Sequence, residues 1–297
     1  MSIVATASKW GDFVKISHTI FALPFALAAM VVAAREHGGW PGWRLFLLIL
    51  SAMVTARTCA MTFNRIMDRH FDARNPRTAQ RHLPVGTISL VSAWTLFFFS
   101  SAAFLVTTFY INRLCFILAP LALIVVCFYS LTKRFTDFTH VFLGIALGLA
   151  PVGAWLAVQG SFALSPLVLS LAVVLWLTGF DIIYATQDYD FDRTNGLHSL
   201  VVRWGVANSL QFAFLVHLVS WGMLAIFGLL CGFRLTYLIG LVIILGSVIV
   251  EHWLASRRSL KWINIAFFRL NALISIVFLI STVVSVLFPG LRRTWTW

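Results

Sequence analysis

Carboxylates are rare in this chain, and their placement is uneven. Of 297 residues only ten are Asp or Glu, and six of those fall in two short segments: Asp68 and Asp72 in the first, Asp181, Asp188, Asp190 and Asp192 in the second. Asn64, Asp68 and Asp72 follow one another at intervals of four, which places them on one stripe of a helix. Asp181, Asp188 and Asp192, seven and four apart, make a second stripe, with Asp190 turned away from it toward solvent. Like charges one turn apart repel and weaken an isolated helix, so something positive must compensate. Hard oxygen ligands favour Mg²⁺, which keeps several waters and completes its shell with phosphate oxygens. Simple pairing with nearby arginines is the competing account. Two matched stripes in a chain so poor in acids favour the metal.

The elements that must position these groups are membrane helices. The chain is 60% apolar and 11% charged, with a mean hydropathy of +0.92, too little charge to cover a soluble domain of this size. Apolar runs of crossing length recur near 17–35, 43–66, 89–110, 113–131, 139–159, 165–187, 208–232, 235–255 and 263–288. The expected fold is an all-α integral membrane protein, one domain over 1–297, with about nine transmembrane helices bundled around a central cavity. Both Asp stripes then end even-numbered spans, at the edge of the bilayer, where costly carboxylates face a wet cavity or a partner. Asp68-Arg-His-Phe71-Asp72-Ala-Arg-Asn75 aligns with Asp188-Tyr-Asp-Phe191-Asp192-Arg-Thr-Asn195 at an offset of 120, and the pairs Lys133-Arg134 and Arg257-Arg258 at 124. Two four-helix halves plus one extra helix follow, an arrangement that frames a central site.

Charge sets the expected orientation. With the N-terminus inside, one side carries fourteen Lys and Arg, among them Lys9, Arg69, Arg81, Arg193, Arg203 and Lys261; the other carries six: Arg35, Arg44, Arg113, Arg234, Arg292 and Arg293. The bias puts the N-terminus and both Asp segments in the cytoplasm and, with an odd span number, the C-terminus outside. It also accounts for the net charge of +12 without nucleic acid. Nothing in the sequence implies a protein partner. The first fifteen residues lack a secretory-signal pattern. The four cysteines lie in or beside apolar runs without a CxxC pair and are read as packing residues, not as a disulfide or zinc site. Trp40, Trp43, Trp295 and Trp297 suit the membrane interfaces, and His217 and His252, without metal spacing, are read as packing between helices.

These motifs resemble the UbiA superfamily of intramembrane aromatic prenyltransferases. The family pattern is NDxxDxxxD on the second helix and DxxxD on the sixth, against Asn64-Arg-Ile-Met-Asp68-Arg-His-Phe-Asp72 and Asp188-Tyr-Asp-Phe-Asp192 here. The segments RNPRTAQRHLPVG, YSLTKR and GFDIIYATQD are also similar, and the likeness covers essentially the whole chain. Arg65 departs from the family's usual Asp, but that position points about 100° from the stripe. The resemblance implies an enzyme of the bacterial cytoplasmic membrane that binds a polyprenyl diphosphate through Mg²⁺ on Asn64, Asp68, Asp72, Asp188 and Asp192. Lys133, Arg134 and Arg81 would neutralise the departing diphosphate, and an electron-rich aromatic acid would attack the allylic cation. Lys133 and Arg134 have a second account as plain topology signals.

Arg57, seven residues before Asn64 and on the same face, is expensive inside a span without an anion. An acceptor carboxylate would suit it; backbone carbonyls or an Asp are the alternative. Asp181, Tyr184 and Lys15 are the other acceptor-side candidates, with snorkelling as the alternative for Lys15, and Tyr129 is a candidate for the cavity wall. Asp188 or Asp192 is the candidate base. The SHTIFALPFAL and QDYDFDRTNGLHSL segments lean toward a carboxylated dihydroxynaphthalene of menaquinone synthesis, with 4-hydroxybenzoate next. A membrane transporter with a carboxylate-lined site is the alternative class, although transporters more often place such sites in broken helices at mid-membrane.

Overall fold

The computed structural model describes residues 3–256 and 266–288. Arg257, Arg258, Lys261, Arg292, Arg293, Trp295 and Trp297, used above for topology, repeat and interface, lie outside them. The described chain is helical: α1 (Ile3–Phe13), α2 (Leu23–Ala33), α3 (Trp43–Arg74), α4 (Leu90–Ile111), α5 (Arg113–Thr132), α6 (Thr139–Gln159), α7 (Leu164–Ala185), α8 (Tyr189–Thr194), α9 (Leu200–Leu230), α10 (Leu235–Ser256) and α11 (Asn271–Leu287). Eight helical stretches among the described residues are long and apolar enough to cross a membrane, α7 and α8 counting as one.

The first expected span is broken instead. A 3₁₀ stretch, Ile16–Phe21, precedes α2, and Pro24 stands in the first turn of that helix, where its missing N–H costs nothing. Six 3₁₀ residues and eleven α residues still rise about 28 Å, close to the thickness of the hydrocarbon core. By contrast α3 runs on to Arg74, past the expected end at 66. Its 32 residues extend about 48 Å, so the turns bearing Asp68 and Asp72 emerge from the bilayer.

The packing departs from two equal four-helix halves, because α2, the first of the expected first four, lies against α6 and α11 and not against α3–α5. In one half α3, α4 and α5 pack on one another, and α5 joins α6. In the other, α6 packs on α7, α7 on α9, α9 on α10 and α10 on α11, while α2 lies against α6 and α11. An aromatic core holds the second half, with Phe25 stacked on Phe278 at 4.8 Å and tilted on Trp176 at 5.1 Å. Many outward side chains are apolar and exposed, among them Phe99, Leu121 and Val242, as a lipid-facing surface requires. The α6–α7 contact is very close. A Cβ added at Gly144 would fall 2.5 Å from the Val174 carbonyl oxygen, and one at Gly148 would fall 2.6 Å from Val174 Cγ2. Small residues one turn apart let two backbones approach in this way.

Candidate active site

One end of the bundle opens into a polar cavity of about 210 Å³. Its wall is built from the last turns of α3, the 75–89 connection, the end of α5, the first turn of α6, the last turns of α7, and α8. Asn64, Asp68 and Asp72 all line it, as one stripe of an uninterrupted helix must, and Asn64 Nδ2 donates to Asp68 Oδ2 at 3.0 Å. Arg65 is buried and absent from the cavity wall.

The second stripe reaches the cavity differently. After Ala185 the chain tightens into a 3₁₀ turn, Thr186–Asp188, before α8 resumes. Asp181, Asp188 and Asp192 all line the cavity across this break, and Asp190 does not. The aligned Phe71 and Phe191 line it too, so the repeated Asp-x-x-Phe-Asp positions of both halves face one space. Tyr129 and Tyr184 also belong to the wall.

Cations are threaded between the carboxylates. Lys133 Nζ is 3.1 Å from Asp68 Oδ2, and Arg81 Nη1 is 2.7 Å from Asp72 Oδ1. Arg77 grips Asp188 with two donors, Nε at 2.8 Å from Oδ1 and Nη2 on Oδ2, while its Nη1 donates to Tyr184 Oη at 2.6 Å. Burial works against the Arg77 charge, but the bonds to Asp188 and Tyr184 hold that guanidinium above its ordinary pKa. Asn75 Nδ2 adds a further donor to Asp188 at 2.9 Å. Arg134 stays outside the cavity wall: its Nη2 donates to the Met67 carbonyl at 2.8 Å and lies 3.8 Å from Asp68 Oδ1.

Other sequence candidates stand apart. Arg57 and Lys15 are not part of the cavity wall. Lys15 pairs with Asp12 at 2.6 Å, and its carbonyl accepts from Arg57 Nη2 at 2.8 Å, while Arg57 Nε is buried without a hydrogen-bond partner. His217 bridges helices, with Nδ1 2.9 Å from His252 Nε2 and Nε2 2.9 Å from the Trp176 carbonyl. Arg77, Asn75 and His140 were not singled out by sequence reasoning as site residues. Arg77 and Asn75 lie in the RNPRTAQRHLPVG segment, whose three arginines beside an Asp stripe were the available signal; a lone His140 in an apolar run gave none.

The donor set fits a hard divalent cation. Asp68 Oδ1 and Asp72 Oδ2 are buried oxygens without a hydrogen-bond partner. Among the described residues no three His, Cys, Asp or Glu side chains come close enough to hold an ion by themselves. A cation here needs phosphate or water oxygens to complete its shell, which is the habit of Mg²⁺.

The UbiA prenyltransferase family model matches residues 22–295. This chain belongs to the UbiA prenyltransferase family. It is an enzyme of prenyl transfer and a multi-pass membrane protein. Within the family it is 30% identical over 240 residues to the 4-hydroxybenzoate octaprenyltransferase of Haemophilus ducreyi, covering 81% of this chain and 85% of that one. The apo structure of a UbiA homologue from Aeropyrum pernix K1 superposes with a TM-score of 0.81 at 30% identity, over 90% of this chain and 97% of the other. A UbiA homologue from Archaeoglobus fulgidus bound to GPP and Mg²⁺ shares the fold at a TM-score of 0.68 and 20% identity, over 92% and 99% of the two chains.

Proposed function

We propose that this enzyme transfers a polyprenyl group from a polyprenyl diphosphate to an aromatic acid, with Mg²⁺ and with release of diphosphate. The observation that carries the reading is the convergence of both Asp stripes and the cations Arg77, Arg81 and Lys133 on one cavity at the end of a membrane bundle. Asn64, Asp68, Asp72, Asp188 and Asp192 hold Mg²⁺, which when bound screens the diphosphate and stabilises it as a leaving group. The fulgidus homologue, bound to GPP and Mg²⁺, supports the use of the metal. Lys133 and Arg81 turn from their carboxylates toward the diphosphate oxygens, and Arg134 adds positive charge beside Asp68. Arg57, outside the cavity wall but further along the α3 stripe, receives the acceptor's carboxylate once the acceptor reaches its buried, unpartnered Nε. Lys15 acts through the carbonyl that steadies Arg57, while Asp181 and Tyr184 face the acceptor ring.

The acceptor is taken as a carboxylated dihydroxynaphthalene, on the segments described above. The name of the Haemophilus relative favours 4-hydroxybenzoate as the second reading. Purified protein given Mg²⁺, a long-chain prenyl diphosphate and either acid, with products read by mass spectrometry, separates the two. A prenylated adduct with one acid identifies the acceptor. No adduct with either acid would remove both acceptors and point to a family member that prenylates another one.

The Lys and Arg bias and the bacterial relative support a place in the bacterial cytoplasmic membrane, with the cavity facing the cytoplasm and the C-terminus outside. Cysteines introduced at either end and labelled in intact cells test this orientation. Labelling of the N-terminal cysteine by an impermeant reagent would reverse it.

A further inference from the structure

Prenyl transfer to an aromatic ring leaves one proton to be placed. The C1–O bond of the prenyl diphosphate breaks and its electron pair leaves with diphosphate. A ring carbon supplies the pair for the new C–C bond. The hydrogen on that carbon must then depart as a proton, so that the C–H pair restores the aromatic ring. The reaction therefore needs a base beside the acceptor, and the carboxylates assigned to Mg²⁺ are occupied in holding the leaving group.

Asp181 is the cavity carboxylate that belongs to neither DxxxD motif, and its surroundings differ. Among the described residues no Lys or Arg pairs with it. Its Oδ2 lies 2.7 Å from Nδ1 of His140, a side chain only 2% exposed, while the Asp181 side chain remains 24% exposed at the cavity wall. A carboxylate accepts and does not donate, so His140 Nδ1 carries the hydrogen. The almost fully buried imidazole holds one oxygen, while the carboxylate remains partly exposed at the cavity wall.

The helix pair that carries this contact is set with little slack. His140 and Gly144 are one turn apart on α6 and so share a face. At Gly144 the Val174 carbonyl of α7 comes within 2.5 Å of where a Cβ would be, and Thr178 Oγ1 within 3.0 Å. Thr178 in turn is one turn before Asp181. The close approach at Gly144 thus fixes how His140 meets Asp181.

We propose that Asp181 is the base that receives the proton lost by the acceptor ring, and that His140 is the positioning residue that aims it. The proton goes to Asp181 Oδ1, the oxygen His140 does not hold, and the His140 Nδ1–H bond to Oδ2 is kept throughout. This assignment rests on the transfer reaction proposed above.

The test is steady-state kinetics with the acceptor identified by the screen, unlabelled and deuterated at the ring carbon that is substituted. Asp181→Asn should lower kcat by ~100-fold or more, the scale of a lost general base, with KM for the prenyl diphosphate nearly unchanged. Its rate should also show a larger ring-deuterium isotope effect than the wild type, because proton loss has become the slow step. His140→Ala should lower kcat by about a tenth of that factor and also raise the isotope effect. His140→Asn, which can place an N–H where Nδ1 stood, should recover most of both. An unchanged kcat in Asp181→Asn would overturn the proposal. So would a loss in every variant, melting temperatures included, with the isotope effect unmoved, since that pattern belongs to a structural contact. Failure of the transfer reading itself would appear earlier and separately, as a wild-type enzyme that forms no adduct, and the base assignment would fall with it.

Discussion

Asp68, Asp72 and Asp188 each carry their own cation, Lys133, Arg81 and Arg77 respectively, and the pairs differ in how completely they use the carboxylate. Asp188 is held by three donors from Arg77 and Asn75, whereas Asp68 and Asp72 each keep a buried oxygen without a hydrogen bond. In the proposed function those two oxygens take the cation. Replacing Asp72 or Asp188 by Asn keeps the shape and most hydrogen-bonding capacity but removes the charge. Both variants should lose turnover by at least ~100-fold, as expected when an electrostatic contact to the transition state is lost, while their melting curves in detergent stay near the wild type. Turnover within a few-fold of the wild type in either would remove that Asp from the metal bridge.

At the scale of elements, the site is aligned by the close packing of α6 on α7 and by the length of α3. Lengthening the side chain at Gly148 should push the two helices apart, since Val174 Cγ2 and the Ser170 carbonyl already stand 2.6 and 3.2 Å from a Cβ there. Gly148→Leu is expected to cost about 1–3 kcal/mol, as overpacked cores do, and to lower the melting temperature by several degrees. Activity should fall with it, because His140 and Asp181 belong to the same helix pair. Gly153→Ala on the same helix meets nothing within 4 Å and serves as the control. Equal melting temperatures for the two variants would show that the α6–α7 approach does not hold the fold. A second tie crosses the cavity rim: the His198 N–H donates to the Lys133 carbonyl at 2.8 Å, and Asp137 accepts from Arg203 Nη1 at 2.8 Å, so the start of α9 steadies the turn that presents Lys133. The Arg203 hydrogen bond holds the Asp137 carboxyl below its usual range, so this tie stays charged further into acid than an ordinary carboxylate would.

Across the whole molecule, the five cavity carboxylates, Asp181 included, face four nearby cations, Arg77, Arg81, Lys133 and Arg134. A site so nearly neutral gains little from a lone dication or a lone diphosphate, and gains much when both arrive and neutralise each other. Mg²⁺ should therefore bind weakly to the free protein and at least tenfold more tightly with a non-reactive prenyl thiolodiphosphate present. The diphosphate analogue must gain the same factor from Mg²⁺ by linkage. Calorimetric titrations in both orders measure this. Equal Mg²⁺ affinity with and without the analogue would exclude the coupled site.

The sequence by itself determined the membrane fold, the two Asp stripes and their common edge, because hydropathy and helical periodicity are local properties written along the chain. The 64–68–72 stripe could be read directly, since α3 continues unbroken through it. The 181–188–192 stripe was legible only in part: a 3₁₀ turn interrupts the helix between its members, and only tertiary structure decided that all three still face the cavity. The first span shows the same limit. Its apolar run is plain, but the break ahead of Pro24 depends on how backbone groups are satisfied locally. The partners of the carboxylates were beyond reach of any pattern. Arg77 meets Asp188 across 111 residues and His140 meets Asp181 across 41. Such pairs exist because helices pack at distances set by glycines and loop lengths, and no periodicity along one helix encodes which side chain waits on the next.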